Sequence, residues 1–228
     1  MEYGQFCPIA KAVEILGEKW TLLIVRELIM GSTRFNELQR GLSQISPTIL
    51  TKRLNSLCDY GLVYKKKING QQGYEYIPTE SCKELQPVIL ALGHWGMRWT
   101  QGYLTEDDYD VELLMLYLQR SIMPEKLLGN ESVIRFNFTD IKDLAAWWIL
   151  VRDNNVDVCT KDPGMDVDIH FTCSIKTMIN VWMGTIPYRT AVKNGELTVV
   201  GPTQLTRNIF SWLNISMFAD LPAASQIQ

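Results

Sequence analysis

The sequence predicts an α+β protein in two parts. The first is mostly helical and closes with a two-stranded hairpin; the second mixes strands and helices. Three observations predict this. Apolar residues recur at helical spacing through residues 8–60, then alternate on either side of Asn69-Gly70, a strong hairpin turn. The stretch Thr105-Glu106-Asp107-Asp108-Tyr109-Asp110 is acidic, lacks apolar periodicity and reads as a linker. Charge divides at the same place: residues 1–100 carry 12 basic and 9 acidic side chains, residues 101–228 carry 10 and 16. Parts of opposite sign point to different partners, and the expected domains are 1–103 and 111–228.

The elements follow in order. Segment 8–16 is a short helix, with Pro8 allowed in its first turn and Gly17 as its stop. Segment 19–30 places Trp20, Leu23, Ile24 and Leu28 on one face. Segment 34–42 turns Phe35, Leu38 and Leu42 inward. Ser46-Pro47 is a cap followed by a first-turn proline, so a helix runs from there to about Tyr60 and stops at Gly61. Leu50, Leu54 and Leu57 form its buried stripe. The opposite face carries Thr48, Lys52 and Asn55 with Thr51 beside them, and no acid before Asp59. Leu62–Ile68 is a strand bearing Lys65, Lys66 and Lys67. Tyr74–Ile77 returns, and a long helix follows over 80–99, in which Pro87 demands a kink or a later start.

Past the linker, 111–123 is helical. Residues 133–138, 147–151, 156–159 and 166–171 read as strands of an antiparallel sheet. Helices are expected at 174–183, near 187–193 and at 203–213, with a strand at 197–200. Trp147 and Trp148 are adjacent and therefore point to opposite faces of their strand.

Composition narrows the function. Hydrophobic residues make up 46% of the chain, which excludes a disordered or collagenous protein. The five cysteines form no CxxC and only His94 and His170 accompany them, so no zinc spacing can be assembled and no metal or cofactor is expected. There is no GxGxxG, Walker, GxSxG or HExxH pattern, and catalytic residues are not expected. Asp166 and Asp168 pass for paired carboxylates but read better as a solvated strand face. Residues 1–10 lack a signal-peptide pattern and the longest apolar run, Leu144–Val151, is too short to cross a bilayer. A reducing cytoplasm, without membrane attachment, is the expected setting.

Helix, helix, polar-faced helix and basic hairpin make a winged helix-turn-helix. Such a helix fits the major groove of double-stranded DNA with its exposed side chains at base edges, while a lysine-tipped hairpin reaches phosphates. Taken alone, the three lysines could equally be a charged edge strand that discourages aggregation. The motifs Cys7-Pro8, Gly17-Glu18-Lys19-Trp20, Arg34-Phe35-Asn36-Glu37-Leu38, Ile45-Ser46, Leu50-Thr51-Lys52-Arg53-Leu54 and Gly61-Leu62-Val63 closely resemble the HxlR family of bacterial regulators over roughly residues 6–100. The resemblance implies a homodimeric transcription factor that pairs through helices 8–16 and 80–99. It implies that Arg34 and Arg53 hold phosphate, that Thr48, Thr51, Lys52 and Asn55 face the groove beside Ser46, and that Lys65, Lys66 and Lys67 form the wing. Some such regulators sense oxidants through a cysteine at this place, so Cys7, with Lys11 nearby, is the redox candidate.

The second part holds four of the seven tryptophans and six of the nine methionines, side chains that line adaptable apolar pockets or simply fill a core. Asp162-Pro163-Gly164, Asp166-Val167-Asp168, Val181-Trp182-Met183-Gly184, Gly195-Glu196-Leu197 and Val200-Gly201-Pro202 resemble the sterol-carrier-protein-like domain over about 129–215. That resemblance implies a sheet covered by helices around an apolar tunnel, with Met178, Trp182, Ile209 and Trp212 near a hydrophobic small-molecule effector. The expected protein is a DNA-binding regulator, a repressor because promoter occupancy suffices for repression. The alternative is a carrier of hydrophobic ligands whose helical first part serves protein interaction.

Overall fold

A computed structural model describes residues 2–70, 72–219 and 221. Residue 71 of the hairpin loop and the 222–228 end of the second part lie outside the described residues. The chain divides into two compact units, 1–95 and 96–228.

In the first unit, α1 (Pro8–Leu16), α2 (Thr21–Ile29), α3 (Phe35–Arg40) and α4 (Pro47–Asp59) precede the hairpin β1 (Val63–Lys67) and β2 (Tyr74–Pro78). α2 starts two residues later than the spacing predicts, because Trp20 sits in the left-handed region at φ 81° and cannot continue a helix. Leu23, expected inward, is exposed, whereas Ile24, Val25 and Leu28 are buried. Leu50, Leu54 and Leu57 of α4 pack with these and with Leu38, Leu42 and Ile45. Each fully buried leucine contributes about 2 kcal/mol. The hairpin is antiparallel, with Lys65 opposite Tyr76, Lys66 opposite Glu75 and Lys67 opposite Tyr74. A backbone bridge from Arg34 to Glu75, and the Tyr76 amide donating to the Thr33 carbonyl at 2.8 Å, tie the start of α3 to the hairpin.

The single helix expected over 80–99 is two: α5 (Glu80–Lys83) and α6 (Gln86–Trp99). Pro87 lacks the N–H that a continuous helix needs there and is tolerated only in a first turn, so α6 starts afresh just before it.

The second unit takes in the last residues of α6 and continues through short 3₁₀ turns at Gln101–Tyr103 and Glu106–Asp108 to α7 (Val111–Ser121). Its strands are β3 (Glu131–Phe138), β4 (Ala146–Arg152), β5 (Asn155–Cys159), β6 (Ile169–Cys173) and β7 (Leu197–Val200), in spatial order β5-β4-β3-β6-β7. The sheet is mixed and not wholly antiparallel, because the 160–168 connection carries the chain past β4 and β3 and sets β6 parallel to β3. β6 also begins later than predicted. Asp168 precedes it, pinned by a carboxylate that accepts the Val133 amide at 2.8 Å, and Asp166 is loop, so the two are not a pair on one strand face.

Helices α8 (Ile175–Trp182), α9 (Tyr188–Lys193) and α10 (Thr203–Thr206) cover one face of the sheet together with α7. The helix predicted over 203–213 breaks. Asn208 is extended and its side chain accepts the Phe210 amide at 3.2 Å, restarting the chain as a 3₁₀ turn over Ile209–Ser211. Ile134, Phe136 and Phe138 of β3 and Trp147, Ile149 and Val151 of β4 face this core.

Candidate nucleic-acid interface and second-domain core

α4 is built to present one face. Ser46 Oγ caps it by accepting the Ile49 amide at 3.3 Å, Pro47 takes its first turn, and the leucine stripe fixes which side is buried. Thr48, Thr51, Lys52 and Asn55 are exposed together on the other side. The side chains of Thr48, Lys52 and Asn55 make no hydrogen bond among the described residues, so their donors are free for a ligand. Thr51 differs: its hydroxyl donates to the Pro47 carbonyl at 2.9 Å, which leaves it an acceptor outward.

Arg53 is not placed like its neighbours. Its Nε donates to the Lys19 carbonyl at 3.0 Å and its guanidinium pairs with Glu18, with the side chain only 14% exposed. It ties α4 to the turn before α2. Arg34 is exposed at the N-cap of α3, where its amide and that of Thr33 donate to the Glu37 carboxylate at 2.9 Å each. Its backbone is fixed and its side chain forms no ion pair among the described residues.

The three wing lysines are unequal. Lys65 Nζ lies 4.0 Å from the centre of the Tyr74 ring and 5.7 Å from that of Tyr76, a cation–π contact that anchors it. Lys66 stands opposite Glu75, and Lys67, opposite Tyr74, is exposed at the tip side of the strand.

Sequence reasoning missed the anchor of the first-unit scaffold. Glu27 is fully buried; Arg26 Nε donates to its carboxylate at 3.0 Å, while Arg26 Nη2 donates to the Gly41 carbonyl at 3.1 Å. An acid inside an apolar helix run was the available signal. Cys7 is the half-buried N-cap of α1, and Lys11 Nζ is drawn to Glu14 at 2.8 Å. Burial pushes the thiols of Cys58 and Cys82 up, and that of Cys173 up to about 12, with Asp140 adding to the effect there.

In the second unit Met178, Ile209 and Trp212 meet in one core and have no exposed surface. Trp212 is pinned by its indole N–H, which donates to the Leu205 carbonyl at 2.9 Å. Trp182 stays partly open; its ring stacks on Tyr117 at 5.3 Å and its N–H donates to Ser121 Oγ at 3.1 Å. Of the tryptophan pair, Trp147 faces this core and Trp148 the opposite side of the sheet. A separate polar groove of about 470 Å³ is lined by Glu125, Glu131, Ser132, Asp153 and Asn154, among others, and by none of the four predicted side chains.

A capped helix with a free polar and basic face, backed by helices and flanked by a lysine-bearing hairpin, defines a winged helix-turn-helix protein of the class that regulates transcription. Residues 15–103 match the family described as HxlR-like helix-turn-helix, and residues 114–214 the SCP-2 sterol transfer family. The HTH-type transcriptional regulator YvaP of Bacillus subtilis is 35% identical over 101 residues, 43% of this chain and 94% of that protein. The HTH-type regulator sll1512 of Synechocystis is 34% identical over 101 residues, 44% of this chain and 75% of that one. The reduced form of the regulator YodB from B. subtilis is 27% identical and covers 43% of this chain and 98% of its own, with a TM-score of 0.38. The chain belongs to the HxlR-like helix-turn-helix family, and is a transcriptional regulator of that type carrying an SCP-2 domain. No helix among the described residues is long and apolar enough to cross a membrane.

Proposed function

We propose that the protein is a cytoplasmic, homodimeric repressor, and not an enzyme. Residues 1–103 bind operator DNA and dimerise; residues 111–228, which include a linker helix, take an apolar effector. The observation that carries the DNA reading is the outward face of α4, where Lys52 and Asn55 hold free donors and no acid precedes Asp59. Base contacts come from Thr48, Lys52 and Asn55, phosphate contacts from Arg34, Lys66 and Lys67. Arg53, Ser46 and Lys65 position these elements, since each already has a protein partner.

The dimer reading rests on a second observation. Val88, Leu92, Trp95 and Trp99 stand four, three and four residues apart on α6, and all four are exposed, Trp95 by 60%. Such a seam is what an apposed helix buries. α1 adds exposed Ile9 and Val13 and has no buried residue of its own. A second copy of the chain presents the same seam, so a two-fold contact covers both.

For the effector, Met178, Ile209 and Trp212 are reached only if α8 and the 203–213 segment part from the sheet; Trp182, at the edge, is met first. A ligand there changes DNA affinity only through unequal binding to two conformations. Genome-wide mapping of bound DNA tests the whole reading. It should return two-fold sites with half-sites about one helical turn apart. Recovery of no sequence preference, beside binding of a fluorescent fatty-acid probe, would instead support the carrier.

A further inference from the structure

The sheet of the second unit has a second face that the effector reading does not use. Across it runs a row set by strand register: Cys159 opposite Trp148, Trp148 opposite Arg135, Arg135 beside His170, and His170 opposite Val200. Directly opposed side chains on one face are neighbours. The Arg135 guanidinium lies 5.3 Å from the centre of the Trp148 ring. Arg135 Nε and Trp148 Nε1 are both buried, and among the described residues no group accepts a hydrogen bond from either. Trp148 is 6% exposed, although it points away from the main core. Arg135 forms no ion pair among the described residues, and it remains partly open to solvent.

Buried donors without acceptors are rare and carry a cost, and a guanidinium without a counter-charge costs more. A fold keeps such a pair where something else supplies the acceptor. The edge of a guanidinium, Nε with one terminal nitrogen, matches the two oxygens of a carboxylate, and an adjacent indole N–H adds a third donor. Beyond the half-buried His170 imidazole, the ends of the row are apolar or weakly polar, with Val200 exposed by 58% and Cys159 half-buried.

We propose that Arg135 and Trp148 form a binding site for a small carboxylic acid with an apolar body, on the sheet face opposite the helices. The carboxylate meets the open end of Arg135 first. As the guanidinium turns on the ring, its Nε and the indole N–H come to share the acid's oxygens. The apolar body then lies along the row toward Val200 or Cys159. The site needs neither DNA nor the core around Met178, so it stands or falls apart from the proposed function.

Titration of the full-length protein with sodium octanoate tests this, followed by the indole N–H signals in nitrogen-15 NMR and by calorimetry. Trp148→Phe identifies the relevant signal, and Arg135→Gln and Arg135→Lys serve in calorimetry even if that variant folds poorly. The Trp148 signal should move with octanoate and stay put with 1-octanol. Arg135→Gln should weaken octanoate at least tenfold, with Arg135→Lys in between. A shift with inorganic phosphate but none with octanoate overturns the carboxylate assignment. Octanoate binding that survives Arg135→Gln at full strength overturns the site, as does a Trp148 signal that no carboxylate moves. If sedimentation shows that Arg135→Gln instead splits an assembly, the acceptor is a protein carboxylate and the small-molecule site is refuted.

Discussion

Lys52 and Arg53 are adjacent on α4, yet their truncation should fail in different ways. Arg53 Nε makes a hydrogen bond of 3.0 Å to the Lys19 carbonyl with the side chain 14% exposed. A bond of this kind from a charged donor contributes about 1.5–3 kcal/mol. The pair with Glu18, itself 51% exposed, adds no more than about 0.5 kcal/mol because solvent screens it. Arg53→Ala should therefore destabilise the protein by about 2–3 kcal/mol. Lys52 has no partner among the described residues, so Lys52→Ala should leave stability within about 0.5 kcal/mol of wild type. Its loss should instead cost about 1–3 kcal/mol of operator affinity. Urea unfolding reads the first quantity and fluorescence anisotropy with a labelled operator the second. The reasoning is refuted if Arg53→Ala unfolds at the wild-type midpoint while losing as much DNA affinity as Lys52→Ala, because Arg53 would then be a DNA contact.

Three further outcomes are expected. A Cβ added at Gly41 would run into the buried Glu27 carboxylate and lie 2.9 Å from its Cγ, so Gly41→Ala should cost about 3 kcal/mol by displacing that group from Arg26; a wild-type urea midpoint would show that Glu27 yields freely. Because the fold holds the neutral Cys173 thiol, its contribution is intact below pH 9 and is lost as pH rises from 9 toward about 12, so brief iodoacetamide labelling of native protein at pH 8 should reach Cys173 last. Mass mapping that finds it modified alongside Cys7 would contradict its burial. Leu92→Glu with Trp95→Glu places charge in the exposed seam of α6 and should give a monomer in sedimentation velocity with an unchanged far-UV spectrum; an unaltered dimer would move the interface elsewhere.

Local pattern carried much of the DNA-binding part. Ser46-Pro47 and the spacing of Leu50, Leu54 and Leu57 are enough to set the start of α4, its buried side and hence its free face. What Arg53 does was not legible, because its acceptor is a backbone carbonyl 34 residues away. Lys65, Lys66 and Lys67 look equivalent in sequence, and only cross-strand register gives Lys65 its tyrosines. In the second part, alternation revealed the strands but not their partners, so the parallel pairing of β3 with β6 escaped it. Alternation also put Trp147 and Trp148 on opposite faces without saying which face the helices cover. Asn208, whose side chain interrupts a helical apolar pattern, shows how one local hydrogen bond overrides periodicity.

The salt dependence of DNA binding bears most directly on α4 and the hairpin as the DNA-binding surface. Affinity of the full-length protein for operator and for random duplex should be measured across salt concentrations, for wild type, Lys52→Ala, Lys65→Ala and the double variant Lys66→Ala with Lys67→Ala. If the surface is as proposed, the double variant should bind both duplexes more weakly. Its log–log slope should flatten by about 0.9 for each phosphate no longer neutralised, or about 1.8 in all. Lys65→Ala should change the slope less, since its ammonium is held on Tyr74. Wild-type affinity and slope in the double variant would contradict the wing, and the same result for Lys52→Ala would remove α4 from the groove.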